Sequence, residues 1–146
     1  MKSNEKVEMF VKTIGSSGNH VPKGWLEDPV WRERLSSVVF PKNPRSLAKG
    51  SRLAYYAAGT RKFCAVVEVI DDEPKKTVGE NADRWPWTLR VRPLVAIPVD
   101  EHAPTLEQVE FDPLRVRRQS HVRVTNDEFN GIVDAIAASV PDRAGV

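Results

Sequence analysis

Two tryptophans, Trp85 and Trp87, flank Pro86 in the run Asp83-Arg84-Trp85-Pro86-Trp87-Thr88-Leu89-Arg90. At a strand end one indole can sit in the core while the other faces a cleft. Arg84, Arg90 and Arg92 stand beside them. Aromatic rings interleaved with arginines suit a stacked nucleobase whose phosphates are held by guanidinium groups. The plainer reading is that such indoles lid the core. A second basic run, Leu114-Arg115-Val116-Arg117-Arg118-Gln119-Ser120-His121-Val122-Arg123, holds four arginines and a histidine. Gln119 and Ser120 add groups that can read a base edge or hold a phosphate. The alternative is a charged edge strand facing solvent.

Other chemistries are poorly represented. His20, His102 and His121 fit no zinc spacing, and the single cysteine, Cys64, permits no paired-cysteine motif. The glycines form neither a phosphate-binding loop nor a dinucleotide fingerprint. Cys64 falls inside an apolar run and reads as a small core residue rather than a nucleophile. Asp71-Asp72-Glu73 lacks regular cation-ligand spacing and reads as a solvated acidic turn. Glu68, flanked by Val66, Val67, Val69 and Ile70, is either a strand-face ion-pair partner or a partly buried carboxylate of raised pKa, the first reading being favoured.

The chain that must position these residues has 146 of them, about one domain. Hydrophobic residues make up 40% and charged residues 29%, enough for one core and a solvated surface. The net charge of +2 argues against a DNA-coating protein and against an acidic tail, but it is unevenly spread. Residues 1–62 carry 12 Lys/Arg against 5 Asp/Glu, residues 63–83 carry 2 against 6, residues 84–123 carry 7 against 5, and residues 124–146 carry 1 against 4. Such a domain can present a basic face to a polyanion while staying near neutral overall, although charges merely alternating around the surface would give the same totals. No apolar run is long enough to span a membrane, and the polar start lacks the apolar stretch of a signal peptide. Residues 1–6 are expected to form a frayed tail. One cysteine and no secretory pattern make a cytoplasmic setting the expectation.

The patterns predict a strand over 7–14, a short helix over 28–36 capped by Asp28, strands over 52–57 and 62–70 joined as a hairpin, a long strand over 87–97 interrupted at Pro93, and a strand over 119–124. Thr125-Asn126-Asp127-Glu128 fits a capping box with Val124 and Phe129 as its hydrophobic staple, opening a helix from Asn126 to about Ser139 that Pro141 stops. There is no βαβ alternation, so a doubly wound sheet is excluded in favour of an α+β fold. It is expected to be a small mixed or antiparallel β-barrel with flanking helices, spanning the chain as a single domain.

These segments, in this order, resemble the EVE domain of the PUA-like superfamily, which also includes YTH and ASCH domains. Phe10-Val11-Lys12-Thr13 is similar to the family's opening strand with its terminal Lys-Ser/Thr, and Lys49-Gly50-Ser51-Arg52-Leu53-Ala54-Tyr55-Tyr56 to its G-D-x-(hydrophobic)-x-(F/Y)-Y strand. Phe63 to Val69 resembles the strand that follows, and Trp85 falls where an aromatic follows the acidic loop. Arg118 to Phe129 resembles the closing R-Q-S-R segment and its T-x-x-E-(W/F) helix start. The family's W-x-G-(V)-R-N is not visible, Gly24-Trp25 and Trp31-Arg32 being loose substitutes; His121 stands where an arginine is common, and Ser51 replaces an aspartate. The resemblance implies a PUA-like barrel that binds a nucleic acid or nucleotide, holds a base, modified in several family members, and performs no catalysis. Lys12, Thr13, Trp25, Tyr56, Trp85 and Trp87 are the pool for the pocket. Arg117, Arg118, Ser120 and His121 would follow the phosphates, together with Arg84 and Arg90. No cofactor or metal is implied. An ASCH-like hydrolase acting on a modified nucleoside or RNA through Lys12, Thr13 and Glu68 is the first alternative. A protein-interaction scaffold with Trp25, Trp85 and Trp87 on an exposed patch is the second.

Overall fold

The computed structural model describes residues 8–16, 18–44, 47–76, 86–112, 115 and 121–144, the last four by backbone alone. Residues 1–6, expected to be a tail, lie outside them.

The run Phe63-Cys64-Ala65-Val66-Val67 is buried residue by residue rather than alternately, as befits a strand covered on both faces. Strand β4 (Lys62–Val69) accordingly lies inside a seven-stranded mixed sheet. In chain order the other strands are β1 (Met9–Ile14), β2 (Ser37–Phe40), β3 (Arg52–Ala57), β5 (Lys75–Lys76), β6 (Trp87–Ala96) and β7 (His121–Val124), and they run β2-β6-β4-β3-β1-β7, with β5 also on β6. β3 and β4 form the expected hairpin, turning at Gly59 with φ +89°. A Cβ there would stand 2.3 Å from the His20 ring, so only glycine fits. β1 pairs with β3 in parallel and with β7 in antiparallel fashion, which makes the sheet mixed.

β6 serves two partners. Trp87 to Arg90 pair with β2, and Val91 to Ala96 pair with β4. Pro93, which can donate no ladder hydrogen bond, sits where the β4 register shifts between Val66 and Val67. The sheet curls through this strand, bringing its two ends together: the Phe40 ring of β2 meets the His121 ring of β7 edge-on, with centroids 5.1 Å apart.

The segment expected to form one helix over 28–36 is shorter and tighter. A single α-turn, α1 (Pro29–Arg32), continues as a 3-10 turn over Glu33–Leu35. The Asp28 carboxylate caps it, accepting from Val30 N at 2.9 Å. β2 follows at once, a strand not anticipated from the sequence.

The terminal helix α2 (Asn126–Ala144) packs on β4, β1 and β3 through Phe129, Ile132 and Ile136. Its capping box forms as expected: Glu128 N donates to Thr125 Oγ1 at 3.1 Å, and Thr125 N to Glu128 Oε1 at 2.9 Å. The helix does not stop at Pro141. Proline removes one backbone bond there, but only the fraying final turn lies beyond it.

Candidate binding site

The end of β1 is where polar chemistry enters the barrel. Pairing sets Lys12 opposite Tyr55 on one side and opposite His121 on the other. Lys12 is only 3% exposed. Its Nζ donates to the Thr13 carbonyl at 2.8 Å and lies 5.2 Å from the centre of the Phe40 ring. Burial, with the Arg34 charge adding to it, lowers the amine from 10.5 to about 7, so near neutrality both protonation states are populated. His121 packs against Phe10 and Phe40. Burial and the nearby Lys12 charge lower it to about 4, so it is neutral at physiological pH.

Lys12 and Thr13 open onto a cavity of about 530 Å³, a size typical of small-ligand sites. From the other side it is lined by Asp28, Trp31 and Arg34 of the capped turn and by Val38 of β2. Trp31 is half-buried and packs against the edge of the core. Among the described residues Thr13 Oγ1 is buried without a hydrogen-bond partner, an unsatisfied group that requires an explanation. Gly15, also in the lining, has φ +77°, and a Cβ there would stand 3.0 Å from the Asn19 carbonyl oxygen. The chain can thus turn away from β1 without filling the cavity mouth.

Of the residues expected from sequence, the fold brings Lys12 and Thr13 together here. Trp25 is displaced from the expected pocket: it is fully buried in the core, and its Nε1 donates to the Ile97 carbonyl at 2.8 Å. It therefore offers a ligand neither ring face nor polar edge. Tyr56 is buried against Phe63, with ring centroids 5.5 Å apart, outside the described lining. Trp87 begins β6 in register with Phe40, likewise outside that lining. The expectation that Trp25 and Trp87 share an exposed patch fails on the burial of Trp25. Arg90 was expected to hold phosphate, but its Nε and backbone N both donate to Asp71, each at 2.8 Å, so it staples β6 to the end of β4. Asp71, read as part of a solvated turn, is buried in that staple. His121, neutral and packed among rings, supplies no positive charge for a phosphate. Arg84, Trp85, Arg117, Arg118 and Ser120 lie outside the described residues.

Glu68 is an ion-pair partner, in line with the favoured reading. It accepts from Arg92 Nε at 2.7 Å and lies 3.6 Å from Arg52 Nε, and these arginines hold its carboxyl below the usual range. It shares a cross-strand row with Arg52 and Met9, three positions from Lys12 and hence on the opposite sheet face. Lys12, Thr13 and Glu68 do not converge, so the acid-base set proposed for a hydrolase is not assembled. Cys64 is fully buried, which pushes its thiol pKa up.

Two lining residues were not singled out as site residues from sequence: Trp31 was noted only in the Trp31-Arg32 pair, and Arg34 not at all.

No protein-family model matches the sequence, and no curated protein matches it. Solved structures do match in fold. The YTH domain of Pho92, in complex with m6A, superposes with a TM-score of 0.59 at 15% identity, over 93% of this chain and 87% of that one. Protein Rpa0253 from Rhodopseudomonas palustris gives 0.58 at 15% identity, over 90% and 94%. The ASCH protein from Zymomonas mobilis gives 0.52 at 10% identity, over 88% and 96%. With a mixed sheet curled on itself and helices at its flank, the chain has the α+β, PUA-like barrel fold that YTH and ASCH domains share.

Proposed function

We propose that this domain is a binding module that holds a nucleobase, plain or modified, in the cavity between β1 and the capped turn, as the EVE-like sequence motifs imply. The observation that carries this reading is the composition of the cavity. It combines one indole in the lining (Trp31), one buried hydroxyl with no partner among the described residues (Thr13 Oγ1), one arginine (Arg34) and a lysine whose amine titrates near neutrality (Lys12) within about 530 Å³. A flat, polar-edged ring beside a phosphate matches that set. The fold shared with a YTH domain bound to m6A supports the ligand class.

The test is titration with short single-stranded and duplex oligonucleotides, plain and base-modified, at two salt concentrations and followed by tryptophan fluorescence. Saturable quenching that favours one base and weakens with salt is expected. Absence of any response from folded protein would refute the reading.

A further inference from the structure

Eight arginines have described side chains, and six of them are spoken for. Arg52 and Arg92 pair with Glu68, Arg61 with Glu107, Arg90 with Asp71, Arg115 with Glu128 and Arg123 with Glu8. Arg32 and Arg34 make no ion pair among the described residues. Arg32 is exposed, whereas Arg34 is half-buried and lines the cavity.

The surroundings of Arg34 keep its charge directed at that space. Its backbone is anchored: the buried Tyr55 hydroxyl donates to the Arg34 carbonyl at 2.5 Å, tying the 3-10 turn to β3 across the barrel. It lines the cavity together with Lys12 and Thr13 at the end of β1, and its charge is felt at both Lys12 and Tyr55. The acid beside it in sequence, Glu33, accepts from Ser37 Oγ at 3.4 Å. Asp28, the one acid lining the cavity, is engaged as the cap of Val30 N. An arginine held in place, partly desolvated and without a carboxylate partner among the described residues is arranged to take an anion from the ligand.

We infer that Arg34 is the phosphate-holding residue of the cavity, so that the site selects a nucleotide carrying its phosphate over the corresponding nucleoside. This rests on the base-pocket reading above and goes further by naming the ligand class and the residue that enforces it.

The experiment compares nucleosides with their 5′-monophosphates by calorimetric titration at low salt, using the wild-type chain, Arg34→Gln and Arg34→Lys. Circular dichroism confirms that each variant is folded. In the wild type the monophosphate should bind about tenfold more tightly than its nucleoside, the value of one charge-assisted contact. Arg34→Gln should bring that ratio close to one, and Arg34→Lys should restore part of it. An equal ratio in wild type and Arg34→Gln, or no preference in the wild type, overturns the role of Arg34 and leaves the base pocket standing. Failure of both ligand types to bind overturns the two together.

Discussion

A buried lysine whose amine sheds its proton near neutrality leaves a signature in stability. In the unfolded chain Lys12 titrates near 10.5, and in the folded chain near 7. Between those values the unfolded state binds more protons, so this group makes folding stability rise with pH from about 7 and level off near 10.5. At about 1.36 kcal/mol per pH unit, the full contribution is roughly 4–5 kcal/mol, of which roughly 2 kcal/mol falls between pH 7 and pH 9. Lys12→Met keeps the length and apolar stem and removes the proton. The variant should be the more stable protein at pH 7, with its advantage shrinking by about 2 kcal/mol by pH 9. Urea unfolding of both proteins at the two pH values, followed by tryptophan fluorescence, measures that difference while cancelling groups common to both. A stability gap that does not change with pH would show that the amine stays charged in the fold and would remove the physical basis assigned to this end of β1.

Replacing Trp31 with Ala should weaken base binding by about 1–3 kcal/mol and cost less stability than the same change at the fully buried Trp25, read by paired oligonucleotide titration and urea unfolding. Trp25→Ala should do the reverse, costing about 3–5 kcal/mol of stability through an emptied core site and an orphaned Ile97 carbonyl. His121 has a folded pKa of about 4 against 6.5 unfolded, so its contribution to stability is present above 6.5 and lost as pH falls toward 4. An imidazole NMR titration should place its midpoint near 4, and His121→Phe should flatten acid unfolding over that window. Glu128→Ala breaks the capping box and the ion pair with Arg115 and should cost about 0.5–2 kcal/mol of thermal or urea stability.

Where local chemistry decides an element, the sequence was readable. The β3–β4 hairpin is two apolar runs around a glycine turn, and the start of α2 is written in Thr125 and Glu128. β2 was not readable, because Ser37–Phe40 follows the capped turn without a break and becomes a strand only by pairing with β6. The parallel pairing of β1 with β3 is likewise a long-range choice that no local pattern contains. The site divides in the same way. Lys12 and Thr13 stand out in a segment that resembles the EVE opening strand, but whether Trp25 or Trp31 meets a ligand depends on which indole the core absorbs. That is a question of burial, not residue type. Arg34 differs from Arg90 only in where the carboxylates went: Asp71 reaches Arg90, and no described acid pairs with Arg34.

The barrel's closure has a consequence for how its cavity is reached. Among the described residues β2 and β7, the two ends of the sheet, share no backbone ladder, and what joins them is ring contact between Phe40 and His121. Parting them breaks no ladder between the two strands, so the sheet is expected to open here more readily than between laddered strands. Amide exchange should follow that line of weakness, fastest along the outer edges of β2 and β7 and slowest in β3 and β4. A ligand that bridges β1 and the capped turn would slow exchange at that join without altering the sheet's centre.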